Sequence, residues 1–441
     1  MALLQIAARN AERLSGETMR QLRECVDRAA TCVLRRDVRP SYTNISALAT
    51  YVLVAAGELL DSDAYLAAGR ERAVRMAELV ESAAIDEYFS PGYTGVALMG
   101  LLSVRTFTSD DLARAAARRI ELRLWSHLAD GWHLGSLELS GPHSRAYTVR
   151  MGFSWVAALL YRATSGELDW PESAPSDETG GDFLKVSCLV QNVDLPVELA
   201  RRFTRPEYPR DVCEPGEQHP TDSGPRRTWY RARLTAPWCL GTVDLQDSRT
   251  DRQNVLAYWA RAGSMIVRTR KDDGEGAFGL YVCADQDAGD ALVGVFAGGF
   301  DDPSPMRPRD GADAAWLDTV AIVEDSDPME VEEVRGASRV VLVRRGETDL
   351  ALWSVFHERV GAPTLTVSGD WRRLELRWVW YEGERRRVSW DEFSGSGLSL
   401  ALSFREPGEP GDERSGRRCL SLRMPRETLP MRRLYARYLR A

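Results

Sequence analysis

Apolar residues recur at helical spacing in the N-terminal part of the chain. In Glu17–Leu34, for example, Leu22 and Val26 lie on one stripe, as in a helix that packs one face against a core. This spacing, together with capping residues such as Ser90 before Pro91, predicts a series of helices. Their predicted bounds are Glu17–Leu34, Ile45–Leu60, Ala64–Ser82, Pro91–Val104, Asp110–Leu128 and Thr148–Thr164. Short loops separate them, which favours antiparallel helical hairpins.

The pattern changes to alternation of apolar and polar residues after Phe183, with many turn residues. Alternation with a period of two and no amphipathic helices in between is typical of an antiparallel β-sandwich. The predicted strands include Trp229–Leu234, Val255–Trp259, Met265–Arg270, Phe278–Cys283, Leu292–Phe296, Val340–Arg344, Leu350–Phe356, Thr364–Val367, Leu374–Tyr381 and Leu398–Phe404.

A segment rich in Pro, Ser, Asp and Glu, Ser165–Gly181, lies between these two patterns and has the composition of a linker. We therefore predict a multidomain α and β protein. Residues 1–166 form a helical domain, residues 167–182 a linker, and residues 183–441 an antiparallel β-sandwich domain.

Composition narrows the classes of function. At 441 residues, the chain is long enough for two or three domains. Its net charge of −8 disfavours nucleic acid as a partner, because that binding depends on neutralising phosphates. The seven cysteines contain no CxxC pair, so we expect neither a metal cluster nor a disulfide framework. No HExxH, GxSxG or Walker motif is present, and we expect no cofactor. No membrane span and no export signal are evident, which predicts a cytoplasmic protein. Association into a homo-oligomer stays open.

The densest group of reactive side chains lies in Gly141–Tyr147, between two predicted helices. The chain has only five histidines, and this segment places His143 beside Arg145 and Tyr147. If the segment is extended, side chains at alternate positions point to the same face. The three groups could then hold an anionic ligand and transfer a proton.

Two segments and a helix start together resemble a known group of proteins. Glu87-Tyr88-Phe89-Ser90-Pro91-Gly92-Tyr93, Gly141-Pro142-His143-Ser144-Arg145-Ala146-Tyr147 and Thr43-Asn44-Ile45 look like segments of heparinase II/III-like and alginate-lyase-like proteins. Such proteins combine an α/α toroid with an antiparallel β-sandwich, in the module order predicted above. The resemblance is best over Ser41–Arg162. The predicted helices would form only about three hairpins, so the toroid implied here is incomplete and open.

The resemblance implies a carbon–oxygen lyase that acts by β-elimination on a uronic-acid-containing saccharide, in a cleft between the two domains. By position, Asn44 and Arg145 would neutralise the substrate carboxylate, His143 would be the base, and Tyr147 or Tyr93 the acid. The residues expected to contact the substrate are Tyr88, Glu87, His133 and Trp132. Independently of the resemblance, Asn, His, Arg and Tyr suffice for this chemistry without a metal, because Arg stabilises the dianionic intermediate and His or Tyr moves the proton.

Two other functions fit the same residues. A cytosolic dehydratase or cyclase of specialised metabolism would agree with the lack of an export signal. A non-catalytic carbohydrate-binding or assembly protein would use the Gly141–Tyr147 loop only to fix the entry of a helix. Asn44 is equally suited to cap a helix, and Tyr93 and Tyr147 to pack as aromatic residues.

Overall fold

The computed structural model divides the chain into two compact units, Met1–Glu217 and Gln218–Ala441. The residues it describes are 1–82, 90–151, 155–168, 190–219, 226–248, 251–272, 280–287, 289–297, 311–335, 339–345, 348–358, 364–393 and 397–405. The first unit is helical and the second consists of antiparallel sheets, which confirms the predicted multidomain organisation of α and β parts.

As far as Thr204, the described residues of the first unit form helices and one short hairpin. The helices are α1 (Ala2–Asn10), α2 (Gly16–Arg36), α3 (Thr43–Leu60), α4 (Asp63–Ser82), α5 (Pro91–Phe107), α6 (Asp111–Gly131), α7 (Trp155–Ala163) and α8 (Val197–Thr204). The hairpin joins β1 (Trp132–His133) to β2 (Glu138–Leu139). The predicted helices from Glu17 to Leu128 are therefore confirmed to within a few residues.

Side-chain caps explain where several helices begin. Ser15 accepts a hydrogen bond from the Thr18 N–H at 3.1 Å, and Asp110 accepts one from the Ala113 N–H at 2.8 Å. Ser90 caps α5 in the same way, with Pro91 at the first helical position. Such caps satisfy N–H groups that have no partner inside the helix.

Helix α3 forms the centre of the helical unit and packs against α2, α4 and α5. Its contact with α5 is close because Gly100 has no side chain: a Cβ there would lie 2.7 Å from the carbonyl carbon of Ala47. By length and composition α3 could span a membrane, but most of it is buried within the unit, as in a core helix.

The last predicted helix, Thr148–Thr164, is shorter in the structure. Residues 148–151 are not helical, and α7 covers Trp155–Ala163. The reason is local hydrogen bonding: the Met151 N–H donates to the Glu138 carboxylate at 2.7 Å, and the Thr148 hydroxyl donates to the Arg150 carbonyl at 2.7 Å. In residues 148–151, hydrogen bonds to these side chains take the place of the backbone hydrogen bonds that a helix would form.

The helical unit also extends beyond the predicted boundary at residue 166. The predicted linker lies largely outside the described residues, but residues 190–204 pack on the helices. Phe203 is buried and its carbonyl accepts a hydrogen bond from the Trp132 indole at 3.0 Å, while Gln191 donates to the Met99 carbonyl at 2.7 Å. The sequence prediction placed these residues in the β domain because their contacts are distant in sequence.

The second unit is built from strands that begin near the boundary. They are β3 (Arg210–His219), β4 (Arg226–Leu234), β5 (Trp238–Val243), β6 (Gln246–Asp247), β7 (Val255–Trp259), β8 (Gly263–Lys271), β9 (Leu280–Asp287), β10 (Asp290–Ala297), β11 (Gly311–Glu324), β12 (Glu330–Arg335), β13 (Arg339–Arg345), β14 (Thr348–Glu358), β15 (Thr364–Val367), β16 (Arg373–Ser389) and β17 (Gly397–Arg405). The boundary between the units falls within β3.

These strands form two sheets in the described part of the chain. One has the order β12-β13-β14-β17-β10-β9-β6 and the other β15-β16-β11-β8-β7-β5-β4-β3. A single hydrophobic cluster contains residues of both, such as Val293 and Leu400 from the first and Leu240 and Trp378 from the second. Alternate residues of the strands face this core, as the period of two in the sequence predicts.

Candidate functional site

The segment Gly141–Tyr147 is held against the start of α5 by Ser90. The Ser90 hydroxyl donates to the Arg145 carbonyl at 2.5 Å and accepts from the Tyr93 N–H at 3.4 Å. Ser90 is buried, so both bonds are shielded from water. One side chain therefore fixes the segment and the helix that carries Tyr93 relative to each other.

The two tyrosines from these elements form a hydrogen-bonded pair. The phenol oxygens of Tyr93 and Tyr147 are 2.7 Å apart, and their ring centroids are separated by 6.2 Å. The guanidinium carbon of Arg145 lies 5.8 Å from the centroid of the Tyr93 ring, within the range of a cation–π contact. Tyr147 is 68% exposed, so a ligand can reach the pair. We call Tyr93, Arg145 and Tyr147 the tyrosine–arginine site.

The two phenols lie in different environments. Burial raises the pKa of Tyr93 above its ordinary value, and the hydrogen bond to Tyr147 acts in the same direction. Arg145 opposes this rise because a nearby cation favours phenolate. Tyr93 therefore keeps its proton and can donate it in a hydrogen bond to the oxygen of Tyr147.

Tyr42 is a further aromatic residue near the site, and the sequence prediction missed it. Its phenol is close enough to Tyr93 that a charge on it would raise the pKa of Tyr93 further. Tyr42 is partly exposed and immediately precedes α3. Its position next to the Thr43-Asn44-Ile45 segment is the signal that could have identified it.

His143 does not share a face with Tyr147, which corrects the prediction for this segment. The imidazole is 1% exposed, and its Nε2 lies 2.9 Å from the Leu139 carbonyl oxygen. Since a carbonyl only accepts, Nε2 carries the proton, and the lone pair of the neutral ring is on Nδ1, which burial of the side chain keeps away from a substrate. The segment is not an extended strand over these residues, so alternate side chains do not align. His143 fixes the segment, and we do not retain it as the base.

Asn44 is also buried, and its side chain is used locally. Its Oδ1 accepts a hydrogen bond from the Ile45 N–H at 2.7 Å, within the first turn of α3. This contact agrees with the interpretation of Asn44 as a residue of the helix start. Its amide oxygen is therefore engaged by the backbone.

Trp132 and His133, predicted to contact a substrate, are buried in the β1–β2 hairpin. The His133 Nδ1 lies 2.8 Å from the Ser136 hydroxyl and accepts from the Ser136 N–H at 3.3 Å. Both aromatic side chains thus support the fold rather than line an open surface. The other two predicted contact residues, Glu87 and Tyr88, lie outside the described residues.

Glu138 anchors the segment that follows Tyr147. Glu138 is buried and pairs with His133 across the hairpin. Its carboxylate accepts a hydrogen bond from the Met151 N–H, and Arg150 Nη1 lies 3.4 Å from it. Burial raises the pKa of Glu138 to about 7, although Arg150 and the Met151 N–H oppose the rise.

Glu138 should make stability depend on pH. As pH rises above 4.5, the unfolded chain loses this proton while the folded chain keeps it until about 7. The free energy of unfolding should therefore fall across this window, by on the order of 3 kcal/mol. Glu138→Gln should remove this part of the slope in urea denaturation between pH 4.5 and 7. The exposed Glu198→Gln is the control, and an unchanged slope in Glu138→Gln would refute the assignment.

Within the described residues, no group of three or more His, Cys, Asp and Glu side chains is placed to hold a metal ion.

Comparison with known proteins shows a similarity in the N-terminal part of the chain. Residues 1–174 match the family model described as "Domain of unknown function (DUF8769)". These residues contain the helices α1 to α7 and the whole tyrosine–arginine site. No curated protein matches the chain.

Proposed function

We propose that the protein is a carbon–oxygen lyase that acts by β-elimination on a uronic-acid-containing poly- or oligosaccharide, at the tyrosine–arginine site. The observation that carries this proposal is the 2.7 Å hydrogen bond between the phenols of Tyr93 and Tyr147, with Tyr147 open to solvent. Arg145 beside the Tyr93 ring adds a positive charge for an anionic ligand.

In this proposal Tyr147 is both base and acid. Its oxygen, as phenolate, removes the proton from C5 of the uronate, next to the carboxylate. The electron pair forms the C4–C5 double bond and the C4–O4 bond breaks. The proton then passes from Tyr147 to the departing O4. Tyr93 stabilises the negative charge on Tyr147 by donating a hydrogen bond, and Arg145 stabilises the carboxylate in the dianionic intermediate.

The organisation of the chain supports the same class. A unit of antiparallel helices followed by antiparallel sheets is the module order of the lyases named above, and we propose that the helical unit is an incomplete α/α toroid. This part of the proposal rests on the order of the modules and on the packing of α3 against α4 and α5.

A second candidate function is non-catalytic binding of an acidic saccharide. The burial of His143 and Asn44 favours it, because two of the predicted catalytic groups are engaged in local hydrogen bonds. Tyr42, Tyr93 and Tyr147 would then offer aromatic surfaces for sugar rings, and Arg145 would pair with a carboxylate.

One experiment separates the two functions. The purified chain is incubated with alginate, a heparin-like chain, hyaluronan and pectin, and ultraviolet absorbance of the unsaturated product is followed, while binding is measured by calorimetry on the same samples. Rising absorbance with one polymer supports the lyase. Binding without absorbance supports the second function, and neither signal from folded protein refutes both.

A further inference from the structure

The eight-stranded sheet has a second face, opposite the hydrophobic core, that carries a cluster of charged residues. Val267 of β8 belongs to the core. Because successive side chains of a strand point to opposite faces, Arg268 and Arg270 belong to the face away from the core. On the neighbouring strand, Asp318 pairs directly with Arg270, and Arg377 of β16 lies opposite Val320.

Two of these arginines are neutralised by one buried carboxylate. Arg270 forms two bonds to Asp318, Nε to Oδ1 at 3.0 Å and Nη2 to Oδ2 at 2.9 Å. Arg377 donates from Nε to Oδ2 of the same residue at 2.5 Å. Both guanidinium groups also lie over the ring of Trp316, at 5.9 and 5.6 Å from its centroid. This arrangement fixes the positions of two cations.

The other carboxylates of this face are also occupied. Arg373 forms ion pairs with Glu324 and, at 2.5 Å, with Glu375. Glu375 is in addition 3.6 Å from Arg270. The acidic groups of the cluster therefore bind three arginines and none of them pairs with Arg268.

Arg268 differs from its neighbours in that it has no counter-charge. Its side chain is partly buried, and in the described parts of the chain it makes no ion pair and no side-chain hydrogen bond; its Nε is fully buried without a partner. Burial lowers the pKa of Arg268, and the positive charges of Arg270 and Arg373 lower it further, whereas Tyr258 opposes them. A partly buried guanidinium without an anion is unfavourable for folding, because burial weakens the hydration of its charge.

We propose that Arg268 is the anchor of a binding site for an oxyanion, a carboxylate or sulfate group, on this face of the sheet. A carboxylate or sulfate fits the fork of a guanidinium and can accept two of its N–H groups. The negative charge of one such group offsets the positive charge of Arg268, which the acidic residues in the described part of this cluster leave unpaired. The site does not depend on the lyase activity proposed above, because it lies on different residues in a different unit.

The test compares thermal unfolding of the whole chain in sodium glucuronate, sodium sulfate and sodium chloride at equal ionic strength. For the unmodified chain, we expect glucuronate or sulfate to raise the unfolding temperature more than chloride does. Arg268→Gln should lose this difference, and calorimetry should show about 10- to 100-fold weaker binding of the stronger anion. In chloride alone, Arg268→Gln should unfold at the same or a higher temperature than the unmodified chain.

Arg387→Gln is the matched control, because Arg387 lies on the same sheet but is exposed and pairs with Asp313 at 3.5 Å. It should keep the response to the oxyanion. If Arg268→Gln does not fold, Arg268→Lys keeps the charge and should bind the anion more weakly.

A response of the unfolding temperature to glucuronate alone identifies a carboxylate ligand, and a response to both glucuronate and sulfate identifies a general oxyanion site. Equal responses to all three salts, or an unchanged response in both Arg268 variants, would overturn the proposal.

Discussion

Replacing Glu121 by glutamine should lower the free energy of unfolding of the helical unit by about 3–5 kcal/mol. Glu121 is fully buried on α6, and its two oxygens bind Arg105 Nη1 at 2.6 Å and Arg118 Nη1 at 2.9 Å. Burial raises the pKa of Glu121 even though both guanidinium groups oppose it, so the carboxylate depends on these partners for its charge.

The expected loss is large because glutamine keeps the shape but removes the charge. Among the described residues, Arg105 and Arg118 would then have only Asp194 as an acidic partner, at 2.7 and 3.5 Å, and Asp194 is exposed. Asp194 joins residues 190–194 to the same two arginines, so we expect that segment to loosen when Glu121 no longer holds those arginines in place. Denaturation followed by the helical circular dichroism signal measures the effect.

Glu81→Gln is the matched control for this prediction. Glu81 also pairs with an arginine of α6, Arg119, but both side chains are about half exposed. Exposed ion pairs contribute little to stability, so the control should lose much less than Glu121→Gln. Equal losses in the two variants would show that the burial of Glu121 is not what makes its pairs important.

The helices of the first unit could be predicted because their signals are local. Ser15, Ser90 and Asp110 each cap a helix within three residues of its start, and apolar spacing then sets the buried face. The strands of the second unit could be predicted for the same reason, since alternation appears within each strand. Long-range contacts have no such signal, so the packing of Gln191 and Phe203 on the helices was not predicted.

The candidate site was predicted in part. The sequence identified Tyr93, Arg145 and Tyr147, and the structure brings these three together. The orientation of His143 could not be predicted, because it depends on the carbonyl of Leu139 in the β1–β2 hairpin and on whether the segment is extended. Ser90 was recognised as a cap, but its bond to the Arg145 carbonyl joins residues 55 positions apart.

If the proposed lyase activity is found, Tyr147→Phe should lower kcat by about 10²- to 10⁴-fold, the usual contribution of a general acid–base group. The phenyl ring keeps the shape and removes the only atom that could take the C5 proton in this proposal. The unfolding temperature should barely change, because Tyr147 is 68% exposed. Tyr93→Phe should lower kcat less, by about 10- to 100-fold, since it removes one hydrogen bond to a charged oxygen.

Tyr161→Phe is the control, because Tyr161 on α7 is also exposed and makes no side-chain hydrogen bond within the described residues. It should keep full activity. The double variant is also informative. In this proposal Tyr93 acts only through Tyr147, so adding Tyr93→Phe to Tyr147→Phe should lower kcat little further. Independent losses that multiply in the double variant would mean that Tyr93 itself transfers a proton. Full activity in Tyr147→Phe would place the base outside the tyrosine–arginine site.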